Sequence, residues 1–189
     1  MKSALLVIDM QNGFLSPRSP LFIAGAPETV PACARVISRC REAGVSVVFV
    51  TRAYAADGSD VENPRRAAFL AGGRPLSEDC DAEIGAAMPE EFGVSEGDYH
   101  IVKPRYSAFF RTELDTLLGD LGASHVILAG TTTPNCIRTS CYDAISLDYD
   151  VTVLSDCTSS ATDEIQQSNL ADMARAGARI LRSDELVLD

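Results

Sequence analysis

Ser124-His125-Val126-Ile127-Leu128-Ala129-Gly130-Thr131-Thr132-Thr133-Pro134-Asn135-Cys136-Ile137-Arg138-Thr139 is the stretch that decides the fold class. Ser124 to Ala129 predicts a strand buried on both faces, because apolar side chains fill consecutive positions rather than alternate ones. Gly130 starts the turn. Thr133 reads as a helix N-cap, and Pro134 fits the first helical position. A buried strand passing through a short turn into a helix is the repeating unit of a parallel α/β sheet. Cys136 then falls in the first helical turn, where free N–H groups and the helix dipole favour an anion. That setting predicts a lowered thiol pKa and a nucleophilic thiolate. A small buried cysteine that only packs is the alternative.

A second segment has the same shape. Ala4-Leu5-Leu6-Val7-Ile8-Asp9-Met10-Gln11-Asn12-Gly13-Phe14 opens as a uniformly apolar strand and stops abruptly at Asp9. A carboxylate at the tip of a buried strand is partly desolvated, which suits it to proton transfer. Asp9 could instead cap the following turn.

The third segment is Tyr99-His100-Ile101-Val102-Lys103-Pro104. Lys2 and Lys103 are the only lysines among 16 basic residues, so arginine is the default cation of this chain. Lys offers a compact ammonium on a flexible stem, Arg a wide planar fork. A lysine at the end of a strand is where an open α/β sheet places its ligands. A solvated surface lysine is the alternative.

These three segments together resemble the isochorismatase-like cysteine hydrolases. Val7, Asp9, Gln11 and Phe14 match that family's V-x-D-x-Q-x-x-F pattern. Lys103-Pro104-Arg105-Tyr106-Ser107-Ala108-Phe109-Phe110 matches its lysine segment. Gly130, Thr133, Cys136, Ile137 and Thr139 match its nucleophile segment, G-x-x-T-x-x-C-[VI]-x-x-T. The resemblance runs from about Ser3 to about Leu181. It implies a cofactor-free amidohydrolase acting on a small amide, ureido or carbamoyl compound, with Asp9, Lys103 and Cys136 as its triad. It also implies an oxyanion hole from the backbone N–H groups of Thr132 and Cys136, beside a cis peptide between Thr131 and Thr132. Some nicotinamidases of the family carry a metal through a D-x-H…H cluster after the second strand. Here that region reads Thr51-Arg52-Ala53-Tyr54-Ala55-Ala56-Asp57, without histidine, so no metal is expected.

Gln11, Phe14, Tyr106 and Phe110 are expected to contact substrate, although Gln11 could satisfy loop backbone instead. Thr139 could bond back into its own helix. Arg105 or Arg138 could bind a substrate carboxylate or pair on the surface. Three other functions stay open: an isochorismatase-type vinyl-ether hydrolase, a non-catalytic binding or regulatory protein, and a redox thiol protein.

Composition is that of an ordinary globular protein, 46% apolar and 23% charged over 189 residues, which suits one domain. The formal net charge of −11 argues against nucleic acid and anionic membranes as partners. No apolar run is long enough to span a bilayer. The opening Met-Lys-Ser-Ala-Leu-Leu-Val-Ile is interrupted by Asp9 too early for a signal peptide. None of the six cysteines forms C-x-x-C, and reduced thiols in a cytoplasm are expected. The resemblance implies a homo-oligomer, a dimer or a tetramer.

The chain alternates strand and helix, which predicts a three-layer α/β/α Rossmann-like sandwich around a mostly parallel sheet. Buried strands are expected near Ala4–Asp9, Ser46–Val50, Tyr99–Lys103, Ser124–Ala129, Val151–Leu154 and Arg179–Leu181. Helices are expected over Pro31–Ala43, Thr112–Leu121, Pro134–Leu147 and Asp163–Ala176, with Gly44 and Gly177 ending two of them. Residues 52–98 form a long, weakly periodic insertion with short helices at Pro64–Leu70 and Ser77–Ala87. Such an insertion at the sheet's C-terminal edge serves as a lid, a pocket wall or a subunit contact.

Overall fold

The computed structural model describes residues 2–188. Six strands build one sheet: β1 (Ser3–Ile8), β2 (Ser46–Thr51), β3 (Tyr99–Val102), β4 (His125–Thr131), β5 (Asp150–Ser159) and β6 (Arg179–Leu181). Their order is β3-β2-β1-β4-β5-β6, and every pairing is parallel. The helices are α1 (Asn12–Leu15), α2 (Ala26–Glu42), α3 (Arg66–Ala71), α4 (Leu114–Leu121), α5 (Arg138–Ser146) and α6 (Asp163–Ala176).

Consecutive apolar residues in the central strands face two different cores. Ala4, Leu6, Ile8, Val126 and Leu128 pack on one side with α4, α5 and α6 through Leu118, Cys141 and Met173. Leu5, Val7, Ile127 and Ala129 pack on the other side with α2 through Cys33, Val36 and Ile37. This is the expected three-layer α/β/α sandwich, and it explains why the strands of the sequence do not alternate. The strand order reverses between β1 and β4, so the crevice for a ligand lies past their C-terminal ends.

Several boundaries depart from expectation for identifiable reasons. Helix α2 begins at Ala26, with Pro27 in its first turn, and runs through Pro31, which forgoes one hydrogen bond in the second turn. Strand β5 continues past Leu154 to Ser159, because the register shifts between Leu128 and Gly130 and then pairs Thr131 with Ser159. Its second half is polar and carries no apolar signal. Strand β3 is an edge strand, not a buried one; it pairs only with β2, and Val102 is 61% exposed. Within Ser77–Ala87 only a short 3-10 turn forms, at Ala82–Ile84, where the Asp81 carboxylate accepts from Glu83 N–H. Both histidines have structural surroundings. The His125 ring sits between the Ser3 and Thr152 hydroxyls, and His100 stacks on Phe49.

Gly130 sets the distance between β1 and β4. Its φ is +116°, and a Cβ there would lie 2.0 Å from the Ile8 carbonyl oxygen. Backbone atoms cannot yield as a side-chain tip can, so Gly130→Ala should cost roughly 2–5 kcal/mol from combined strain and overpacking. Urea unfolding checks this; an unchanged midpoint would show that the strands can separate without cost.

Candidate active site

Asp9 and Cys136 follow β1 and β4, the two strands that flank the switch point, and Lys103 follows β3. The chain turns sharply at Asp9, where φ is +55°, while the Asp9 N–H still bonds to the Val50 carbonyl at 2.8 Å. The Lys103 N–H likewise continues the ladder, to the Thr51 carbonyl at 2.9 Å. Its stem then passes the end of β2 and brings the ammonium to Asp9. Lys103 Nζ donates to Asp9 Oδ2 at 2.7 Å, to the Arg105 carbonyl at 3.1 Å and to Cys136 Sγ at 3.5 Å. Three donors meet three acceptors, so the ammonium is saturated. Asp9 and Lys103 are 0% exposed, and Cys136 is 4% exposed.

Cys136 lies in a single π-type turn, Thr133–Ile137, that runs directly into α5. Thr132, not Thr133, holds the N-cap position, and its side chain caps nothing. The Thr132 and Thr133 hydroxyls both donate to the Ser159 carbonyl, and Ser159 Oγ donates to Thr131 Oγ1. The polar end of β5 therefore anchors the nucleophile loop. The Thr131–Thr132 peptide is cis. Thr139 bonds back to the Asn135 carbonyl. Ser140, which the sequence reading missed, accepts from Ala108 N–H at 2.9 Å and donates to the Cys136 carbonyl at 2.6 Å. One hydroxyl thus joins the loop after Lys103 to the turn that holds the thiol.

The expected lowering of the thiol pKa is corrected here. Burial and the Asp9 charge push the Cys136 thiol up to about 11, against the opposing pull of Lys103 and Arg52. A single turn leading into a helix does not outweigh the loss of water around an anion. The shift favours the thiol over the thiolate as the resting form.

Asp9, Lys103 and Cys136 are together, but the four residues expected to contact substrate are not. A cavity of about 250 Å³ opens over Cys136, lined by Phe14, Leu21, Phe22, Ile23, Arg65, Thr132 and Asn135 among others. Phe14 lines the cavity. Gln11 is buried, and its amide is spent on the Arg52 N–H, the Arg52 carbonyl and the Ala86 carbonyl. Tyr106 lies between the guanidinium groups of Arg52 and Arg65 and does not line the cavity. Phe110 is 45% exposed, beside Arg111 on the surface. Arg138 pairs with Asn169 and Asp172 of α6, and Arg105 bonds to the Asp60 carbonyl.

Arg52 was likewise missed from sequence. It is 1% exposed, and its Nη1 donates to Tyr54 Oη at 2.8 Å and to Glu62. The Tyr54 hydroxyl donates to Glu62 at 2.8 Å, closing the triangle. The available signal was positional: Arg52, like Lys103, is a cation directly after a strand at the ligand-binding end of the sheet. Where metal-bearing relatives were expected to place ligands, this chain places an ion-paired guanidinium. No group of three or more His, Cys, Asp or Glu side chains among the described residues is arranged to hold a metal ion.

Residues 3–185 match the model of the isochorismatase domain. The chain belongs to the isochorismatase family. It is 38% identical over 179 residues to a probable inactive nicotinamidase of Arabidopsis thaliana, covering 94% of this chain and 90% of that protein. It is 32% identical over 187 residues to a ureidoacrylate amidohydrolase of Pantoea ananatis, covering 88% and 72% respectively. Among solved structures, an isochorismatase family protein from Desulfovibrio vulgaris superposes with a TM-score of 0.90 at 39% identity, covering 97% of this chain and 95% of that one. No helix among the described residues is long and apolar enough to cross a membrane.

The raised thiol pKa has a measurable consequence. Iodoacetamide labelling of Cys136, mapped by mass spectrometry, should climb with pH through the range of a free cysteine and beyond it. Asp9 is the charged group that holds the thiol up, so in Asp9→Asn the midpoint of the labelling profile should move to lower pH than in the native protein, with folding checked by circular dichroism. A labelling plateau reached below pH 8 in the native protein would contradict the assignment.

Proposed function

We propose that this protein is a cysteine-dependent amidohydrolase that cleaves the C–N bond of a small amide, ureido or carbamoyl compound without a cofactor. The observation that carries the reading is the buried contact of one ammonium with both Asp9 and Cys136, beneath a cavity sized for a small molecule. The ureidoacrylate amidohydrolase relative supports the reaction class.

The Cys136 thiol gives its proton to Asp9 as Sγ attacks the carbonyl carbon. The neutral resting thiol means that this transfer belongs to the attack itself rather than preceding it. Lys103 offsets the negative charge as it passes from the carboxylate through sulfur to the carbonyl oxygen. The oxyanion is held by the backbone N–H groups of Thr132 and Cys136. Asp9 then passes the proton to the departing nitrogen, the C–N bond breaks, and ammonia or an amine leaves a thioester. Water, deprotonated by Asp9, attacks the thioester; the acid product forms and the thiol is restored. The setting that fits six free cysteines is a reducing cytoplasm, and the exposed β3 edge leaves a surface for assembly into a homo-oligomer.

The Arabidopsis relative named as inactive favours a second reading, a binding protein on the same fold. Assay of a panel of small amides and ureides for ammonia release separates the two. Turnover abolished by Cys136→Ala, in a protein that melts normally, supports the amidohydrolase. Binding of panel members with no turnover supports the second reading, and hydrolysis retained by Cys136→Ala rules out nucleophilic catalysis by this thiol.

Lys103 adds a sharper expectation. Lys103→Arg should slow acylation at least ~100-fold, the size typical of one preorganised electrostatic contact, because a planar fork cannot fit where an ammonium contacts Asp9, the Arg105 carbonyl and Cys136 together. Single-turnover kinetics of Lys103→Arg and Lys103→Met measure it. Near-normal acylation by Lys103→Arg would refute the shape requirement, and near-normal acylation by Lys103→Met would remove Lys103 from the reaction.

A further inference from the structure

The cavity over Cys136 has a charge pattern unlike the rest of the chain. The protein carries a formal net charge of −11, yet among the described residues no Asp or Glu lines this cavity, and Arg65 is its one charged lining residue. The two guanidinium groups near Tyr106 differ in kind. Arg52 is buried and already matched by Glu62. Arg65 lies 5.0 Å from the Tyr106 ring centroid and is paired with no carboxylate among the described residues. Its backbone is fixed by the Arg65 N–H bond to the Glu62 carbonyl at 2.8 Å and the Phe69 N–H bond to the Arg65 carbonyl at 2.9 Å. The aromatic face supports the guanidinium plane and leaves its donor edges free.

Phe14, Leu21, Phe22 and Ile23 also line the cavity and are apolar. The cavity of about 250 Å³ suits a small molecule. A ligand over Cys136 meets apolar side chains and a single cation, Arg65.

We propose that Arg65 is the specificity-determining residue of this site and that the substrates are small acid amides or ureido acids, with a carboxylate remote from the scissile C–N bond. The assignment rests on the amidohydrolase reading of the same site. A guanidinium and a carboxylate make paired, charge-assisted hydrogen bonds that a neutral isostere cannot reproduce. Such a contact corresponds to a preference on the order of tenfold or more.

Calorimetric titration tests binding apart from chemistry. Malonamate, succinamate and glutaramate are titrated into Cys136→Ala, each against its neutral isostere, malonamide, succinamide and glutaramide. At least one acid should bind about tenfold or more tightly than its diamide. Adding Arg65→Met should bring that ratio close to one, and Arg65→Lys should keep part of it. No acid preferred over its diamide, or a preference that survives Arg65→Met, overturns the assignment. The native protein is assayed for ammonia release on the same compounds. Arg65-dependent binding of the acids with no ammonia released overturns the amidohydrolase reading and leaves the carboxylate site standing. Ammonia released equally well from acids and diamides does the reverse.

Discussion

The buried ion pair between Lys103 and Asp9 is the constraint on which the rest of the site depends. Removing two charges from water costs several kcal/mol per ion in a protein interior, and the mutual attraction offsets this only with good geometry and further hydrogen bonds. Both side chains are 0% exposed, so the geometry has to be supplied by the fold. Three strands end where they do to supply it. Gly130 lets β4 lie against β1, the sharp turn at Asp9 aims its carboxylate, and the Arg105 carbonyl takes a further ammonium proton. Losing one partner would leave an uncompensated charge in the core, a loss of about 3–5 kcal/mol. Apolar residues of similar volume often stabilise such a position at least as well, which accords with the chemical role proposed for the pair.

How much of this was legible depended on whether a residue's role showed in its immediate neighbours. The central strands were readable because both of their faces are buried, and an unbroken apolar run such as Leu5–Ile8 suits a strand covered on both sides. The second half of β5 was not, since Ser155, Asp156, Thr158 and Ser159 pair with β4 only after a register shift that no local pattern announces. Asp9, Lys103 and Cys136 were legible because each ends or follows a strand in a recognisable segment. Ser140 and Arg52 were not, because their partners, Ala108 and Glu62, are distant or irregularly spaced. The thiol pKa was misjudged for a related reason: a helix start is visible in sequence, whereas full burial beside a carboxylate is a property of the assembled fold.

The architecture divides chemistry from recognition. The proposed reacting groups hang from β1, β3 and β4, inside the sandwich, where substitutions propagate into two cores. The cavity wall comes largely from outside it: Leu21, Phe22 and Ile23 from the loop before α2, and Arg65 from the insertion between β2 and β3. A third apolar cluster, in which Phe69 and Leu76 of the insertion pack with Phe14 and Tyr54, fixes that wall against the sheet. Substrate preference can therefore change through residues whose replacement leaves the main cores intact.

Strand β3 has a consequence for how such a protein fails. It is four residues long, pairs with β2 alone and exposes Val102, yet the next residue is Lys103. Short edge strands open locally at free energies well below that of global unfolding. Each opening of β3 draws the ammonium away from Asp9 while β1 and β4 stay paired. Mild heat or denaturant would then break the Lys103–Asp9 contact while most of the sheet keeps its amide protons protected, and the proposed chemistry would be lost earlier than structure.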